Sequence, residues 1–508
     1  ESRGLGDVYQ RQLKYIIPLL RYKFPDPDDN ESLAHTFERT VSKFGLRNFI
    51  YFEEETWTYS EVNQQANILA KKLLDDGVSH GDRVILFMEN RPDFVISIIA
   101  LNKIGAIGVL INTSLTGKPL IHCINSSDSK KCIVGAELAD PLEEVLSDIN
   151  IADKTDIYWV ADGNKYRCPD WSLDLKNTLD NSSEIQVTIS DKVTAKDTAF
   201  YIFTSGTTGV PKAALFPNSK IIAASVNIVK GGYRLNEKDC MYNCLPLYHS
   251  TGLMLGLCAC IQAGAATFIR RKFSASMFWE EAKKFNTTAF VYVGELCRYL
   301  SFQDPTDNEQ NNPISKMVGN GLRPDLWDCF RNRFNVNRII EIYGASEGNA
   351  LFMNLLNKDQ TIGMTNAKVG IFEYDVAEDK LVKDSNDKYV EVEKNQPGLL
   401  LVEIGPNAVY NGYTDKKASE EKVIHDVMVE GDRWFNTGDL VKTMDVGFSL
   451  GRTHYQFVDR VGDTFRWKSE NVSTNEVAEI LNGYDQVNMA NVSYTHLRAH
   501  ETPLHRVC

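Results

Sequence analysis

Apolar and polar positions along this chain follow two periods, and the alternation between them predicts its elements. Helical spacing runs over residues 31–44 and again over 60–74, with Ser60 and Asn63 near the start of the second helix. Between them, β-favouring runs at 49–52 and 56–59 are placed as a short hairpin. Residues 84–88 form an apolar strand ending in Glu89-Asn90-Arg91-Pro92, followed by a long apolar helix and a strand at 106–111. The same alternation returns at 132–134, 157–160 and 267–269, which predicts an α/β architecture with sheets covered on both faces. From 369 to 404 the texture becomes strictly alternating, as in Phe372-Glu373-Tyr374-Asp375-Val376, and predicts a β-rich subdomain. The polar run 303–312 reads as a loop or flexible excursion. No repeat of solenoid or propeller period is present.

At 508 residues the chain exceeds one compact core, so two or more domains are expected. A net charge of -13 excludes a general nucleic-acid binder and gives no attraction to an anionic membrane surface. The ten cysteines are scattered without a CxxC pair, with Cys240, Cys244, Cys258 and Cys260 the nearest grouping. Buried free thiols in a reducing compartment are expected, not disulfides or zinc. The most apolar windows, 94–110 and 253–269, are broken by Asn102 and Lys103 and by Gln262, which makes them core elements instead of membrane spans. The chain opens on Glu1, and a segment upstream, including a membrane anchor, is expected to precede it.

The candidate chemistry centres on Thr204-Ser205-Gly206-Thr207-Thr208-Gly209-Val210-Pro211-Lys212, which follows the apolar strand Ala199-Phe200-Tyr201-Ile202-Phe203. Glycines admit an anion close to the backbone, hydroxyls and amides donate to phosphate oxygens, and the lysine brings positive charge. It is not a Walker A loop, because Pro211 stands where that pattern has glycine. Further along come Leu245-Pro246-Leu247-Tyr248-His249-Ser250-Thr251-Gly252 and the glycine turn Val318-Gly319-Asn320-Gly321-Leu322-Arg323-Pro324. Gly344-Ala345-Ser346-Glu347-Gly348 satisfies the GxSxG pattern of a hydrolase elbow, with His425 and His454 downstream, but a hydrolase leaves the phosphate loop unused. Phe435-Asn436-Thr437-Gly438-Asp439-Leu440 places an aspartate in a tight turn after an aromatic strand, and Val458-Asp459-Arg460-Val461-Gly462-Asp463 follows.

Together these stretches resemble the adenylate-forming superfamily of acyl-CoA synthetases, luciferases and peptide-synthetase adenylation domains. The resemblance implies that Thr204, Ser205, Gly206, Thr207, Thr208, Gly209 and Lys212 cradle the phosphates of ATP. It implies that Gly319, Asn320 and Gly321 lie flat against the adenine and that Tyr343, next to Gly344, stacks near it. Ser346 would donate to the α-phosphate, Glu347 would hold Mg²⁺, and Asp439 and Arg460 would contact the ribose. His249 would border the carboxylate and acyl pocket, and Thr204, Lys212, His249 and Glu347 would carry the catalysis. The positions around Gly462 match a hinge for the small C-terminal domain.

Phe87-Met88-Glu89-Asn90-Arg91-Pro92-Asp93-Phe94, Gly294-Glu295-Leu296-Cys297-Arg298-Tyr299-Leu300 and Glu470-Asn471-Val472-Ser473-Thr474 narrow the match to one branch. They resemble the fatty acid transport proteins, which are long-chain and very-long-chain acyl-CoA synthetases, from about residue 30 to 491. The implied activity is an AMP-forming fatty acid-CoA ligase with ATP, Mg²⁺ and CoA, coupled to fatty acid uptake. The implied placement is on the endoplasmic reticulum, plasma membrane or peroxisome, with catalysis facing the cytosol. A carrier role without ligase chemistry is the alternative, and a GxSxG serine hydrolase stands behind it.

The implied fold is α/β, with two sheet-helix subdomains and a β-rich one in a large N-terminal domain, then a small α+β domain that is cut short. Residues 1–30 are read as a lead-in, 31–460 as the adenylation domain and 461–491 as the start of the small domain. Ser469 stands where the family has glycine beside the CoA path. Residues 492–508 match nothing in the family and are read as an artefactual tail. The lysine that the family places on the reacting carboxylate would lie in the part of the small domain that this tail replaces.

Overall fold

The computed structural model describes residues 21–151, 153–163, 165–179, 185–204, 211–344, 348–375, 378–406, 408–410, 412–413, 415–461, 464–467, 470–473, 477 and 481. The chain divides into two compact units, the second built from 343–352, 360–410 and 418–508.

The first unit holds two largely parallel sheets. In the seven-stranded sheet the order is Leu173–Asp174, Ile157–Val160, Lys131–Gly135, Arg83–Phe87, Ile107–Leu110, Thr198–Thr204 and Lys212–Pro217, with only the last pair antiparallel. Its central strands are apolar on both faces, and Val84, Ile85, Leu86 and Phe87 are all fully buried, as a helix-covered parallel sheet requires. In the eight-stranded sheet Phe352–Met353, Arg338–Tyr343, Lys316–Asn320, Ala289–Val293, Cys240–Asn243, Ala266–Ile269, Asn48–Phe52 and Glu55–Thr58 lie side by side in that order. The expected hairpin is its outer pair, Asn48–Phe52 with Glu55–Thr58.

Helix Tyr59–Asp75 begins one residue before the expected start. Thr58 caps it in a reciprocal box with Glu61, so Ser60 and Asn63 lie inside the first turns. Helix Pro92–Ile104 starts on proline and closes on Gly105 at φ 72, where a left-handed residue ends the turn. Its polar interruptions are interior fastenings. Asn102 accepts from the Ala34 amide at 2.7 Å and donates to Asn218 at 3.0 Å, while fully buried Lys103 pairs with Glu38. The other apolar window becomes the wide helix Thr251–Cys258 continuing as Ala259–Ala263. Among the described residues no helix is long and apolar enough to cross a membrane. The nine described cysteines are all free, and seven are buried.

The polar run 303–312 is mostly loop, as expected, but it is anchored. It contains the short helix Asp307–Gln310, and Arg333 grips buried Glu309 through two contacts of 2.9 Å. A glutamate in a polar run looks solvated until a distant arginine covers it.

The second unit is the expected β-rich part. Val369–Phe372, Gly398–Glu403, Arg433–Met444, Val423–His425 and His454–Arg460 form an antiparallel sheet. Strict alternation gives it two apolar faces: Leu400, Val402 and Val441 pack on one, Leu399, Leu401 and Leu440 on the other. Thr464–Trp467 and Glu470–Ser473 pair as a separate hairpin.

Asn102→Ala leaves the Ala34 amide and the Asn218 side chain without these partners. Urea unfolding should show a loss of roughly 1–3 kcal/mol with an unchanged slope.

Candidate nucleotide site

In the second unit, three of the nominated residues are brought together by an irregular strand. Opposite Gly398–Glu403, the register of Arg433–Met444 jumps from Leu401↔Asn436 to Leu399↔Leu440, so residues 437–439 bulge out. Gly438 takes φ 73, its amide donates to Asn436 Oδ1 at 2.9 Å, and the Asp439 amide donates to Thr437 Oγ1 at 3.1 Å. The tight turn expected after a strand is therefore a bulge inside a strand of 12 residues. The Asx geometry is present, but the chain resumes pairing because Leu440 and Val441 still have apolar faces to fill. A bulge re-aims a side chain, and here it is Asp439.

Asp439 Oδ2 accepts from the Tyr343 hydroxyl at 2.5 Å, and Arg460 Nε lies 3.7 Å from Oδ1. The Asp439 side chain is only 13% exposed, whereas that of Arg460 is 73% exposed. Burial, and then the adjacent carboxylate, push the Tyr343 phenol well above its usual range, so it remains a donor. Gly344 follows directly.

In the first unit, the glycine turn leaves the C-terminal end of Lys316–Asn320. A Cβ on Gly319 would stand 2.1 Å from the Tyr292 carbonyl oxygen, and one on Gly294 would stand 1.6 Å from that of Gly321. Gly321 itself has φ 78. Backbone against backbone leaves room for no side chain at either contact. Asn320 and Gly321 are exposed, and Leu322 is buried.

Glu341 is buried beneath this turn. Its carboxyl accepts from the Leu322 amide at 3.1 Å and from the hydroxyl of fully buried Tyr292. Burial outweighs those hydrogen bonds and pushes the acid up to about 8. Sequence reasoning gave Glu341 no role. The available signal was a lone acid inside the apolar strand Arg338-Ile339-Ile340-Glu341-Ile342-Tyr343, where an unpartnered carboxylate is costly.

Thr204 ends one strand and pairs in register with Lys212, which begins the next. The Lys212 ammonium lies 5.8 Å from the centre of the Tyr413 ring. Ser205, Gly206, Thr207, Thr208 and Gly209 between them fall outside the described residues, as do Ser346, Glu347, Gly462 and Ser469. His249 is exposed, and its Nδ1 accepts from the Thr251 amide at 3.4 Å. The segment carrying it is held by buried Asn90, which donates to the Leu245 carbonyl and accepts from the Leu247 amide, both at 2.8 Å. That clamp was missed, since nothing in the Glu89–Pro92 wording points to a partner some 150 residues on.

A sequence family described as AMP-binding enzyme matches residues 37–414. The chain belongs to the AMP-binding enzymes. Among curated relatives, a medium/long-chain-fatty-acid–CoA ligase, FadD6, of Mycobacterium tuberculosis is 37% identical over 456 residues, covering 90% of this chain and 73% of its own length. Long-chain fatty acid transport protein 6 of Mus musculus is 37% identical over 470 residues, with 91% and 73% covered. Among solved structures, the anthranilate CoA ligase AuaEII in complex with anthranoyl-AMP superposes with a TM-score of 0.75 at 18% identity, covering 91% of this chain and 84% of its own. The long-chain-fatty-acid-CoA ligase FadD1 of Archaeoglobus fulgidus gives 0.68 at 20% identity, covering 94% and 92%. This AMP-binding enzyme therefore has the adenylate-forming α/β fold.

An acid raised by folding binds more protons folded than unfolded, so its contribution makes stability fall as pH rises from about 5 to about 8. Glu341→Gln cannot ionise. Denaturation midpoints across that window should slope less in the variant than in the parent, and equal slopes would show that Glu341 does not titrate there.

Proposed function

We propose that this chain is an AMP-forming ligase that activates a long-chain or very-long-chain fatty acid with ATP and transfers the acyl group to CoA. The fatty carboxylate attacks the α-phosphorus, a phosphorus–oxygen bond forms, and pyrophosphate leaves. The CoA thiol then attacks the acyl carbonyl, a thioester forms, its proton goes to solvent, and AMP leaves. The first step needs mostly positioning and charge neutralisation, because a carboxylate is already a competent nucleophile.

The observation that carries this reading is the contact of Tyr343 and Arg460 with the bulged Asp439, an aromatic ring, a carboxylate and a cation gathered in one place. Asp439 would accept from the ribose hydroxyls, displacing the Tyr343 hydroxyl or sharing with it. Arg460 would contact the same sugar. Lys212, with Thr204 and the hydroxyls and amides of 205–209, would neutralise the outer phosphates, and Ser346 would donate to the α-phosphate. Glu347 is proposed as the carboxylate ligand of Mg²⁺ arriving with the nucleotide, an oxygen donor suited to a hard cation. The acyl chain would run beside His249 and the 292–299 segment.

The test is fatty-acid-dependent pyrophosphate release from Mg·ATP. Asp439→Ala should weaken ATP binding roughly 10- to 100-fold, the worth of a charge-assisted hydrogen bond. Fatty acid binding with no pyrophosphate release would favour a carrier. ATP-independent ester cleavage abolished in Ser346→Ala would favour a hydrolase.

A further inference from the structure

We propose that Glu341 is a positioning residue for the nucleotide base: with Tyr292 it fixes the 319–322 turn from below, so that the exposed backbone of Asn320 and Gly321 forms a flat seat for a purine. The inference rests on the ligase reading for the identity of the ligand, and adds a residue that acts on the nucleotide only through the turn.

The turn cannot hold itself. Gly319 and Gly321 have no side chains to anchor it, and Gly321 sits at φ 78, which a glycine can also leave easily. Gly294 and the Tyr292 carbonyl press on it from one side through contacts that exclude a Cβ. Contact of that kind limits approach but does not attract. Attraction comes from Glu341, whose Oε1 accepts from the Leu322 amide at 3.1 Å while Oε2 accepts from Tyr292. A carboxyl group 4% exposed in an apolar strand is costly, and its hydrogen bonds run to the turn and to the tyrosine beneath it.

The surroundings keep this group distinct. Tyr233 donates to the carbonyls of Phe290 and Val318 at 3.3 Å each, bracing the Lys316–Asn320 strand beside Glu341 and the next strand, Ala289–Val293. Burial pushes Tyr233, Tyr292 and Cys297 well above their ordinary ranges, so none of the three ionises near neutrality. Neutral Glu341 still offers a carbonyl oxygen to the Leu322 amide. Glutamine offers the same oxygen, which makes Glu341→Gln the conservative control and Glu341→Ala the variant that releases the turn.

The experiment is calorimetric titration of the chain with Mg·ATP and, separately, with inorganic tripolyphosphate, which has phosphates but no base. Glu341→Ala should bind ATP about tenfold more weakly, as expected for one lost hydrogen-bonded anchor, and tripolyphosphate as the parent does. Glu341→Gln should restore ATP binding to within about twofold. Equal weakening toward both ligands, or unchanged ATP binding in Glu341→Ala, overturns the inference. Should Glu341→Ala fail to fold, Tyr292→Phe carries the test: a selective loss of ATP affinity supports the seat, and parental affinity overturns it. A parent chain that binds neither ligand refutes the ligase reading itself, whereas a parent that binds both with no selective variant refutes this inference alone.

Discussion

A parallel strand buried on both faces can present polar chemistry only at its ends. In the first unit every candidate segment obeys that constraint. Glu89-Asn90-Arg91 follows Arg83–Phe87, the glycine- and hydroxyl-rich loop follows Thr198–Thr204, and the His249 segment follows Cys240–Asn243. The glycine turn follows Lys316–Asn320. All are carboxyl ends, where open α/β sheets bind their ligands. The apolar strands thus confine these polar segments to the strand ends.

The second unit meets the same demand differently. Its antiparallel sheet also buries both faces, so a reactive side chain in mid-strand would have to point into one apolar cluster or the other. The bulge at 437–439 escapes that choice, stepping two extra residues out of register and returning Leu440 and Val441 to their opposite faces. Gly438 makes the step possible with its positive φ, and Asp439 is what the step exposes to Tyr343 and Arg460.

Interior polar groups divide into those that fasten and those that act. Asn102, Lys103 and Glu309 bind elements to one another, and each looked like an interruption or a solvated residue in the linear chain. Asn90 and Glu341 do something more specific, since each bonds to backbone amides of a segment that carries a nominated site residue. Their geometry rests on hydrogen bonds spanning 157 and 19 residues.

The sequence by itself determined the architecture and the identity of most candidate residues. Short apolar runs, helical spacing and strict alternation are local patterns, and local patterns fix which strands are buried on both faces. The glycine turn was likewise legible, because a backbone that approaches another backbone needs glycine wherever it folds, whereas the loop 204–212 stands as a motif whose residues 205–210 lie outside the described ones. Tertiary structure alone decided the rest: that Asp439 sits in a bulge, that Glu309 is covered, and that Asn90 and Glu341 serve distant turns. A hydrogen bond between residues far apart leaves no periodicity in the chain, and the cost of burying a carboxyl or an amide appears only once its partner arrives.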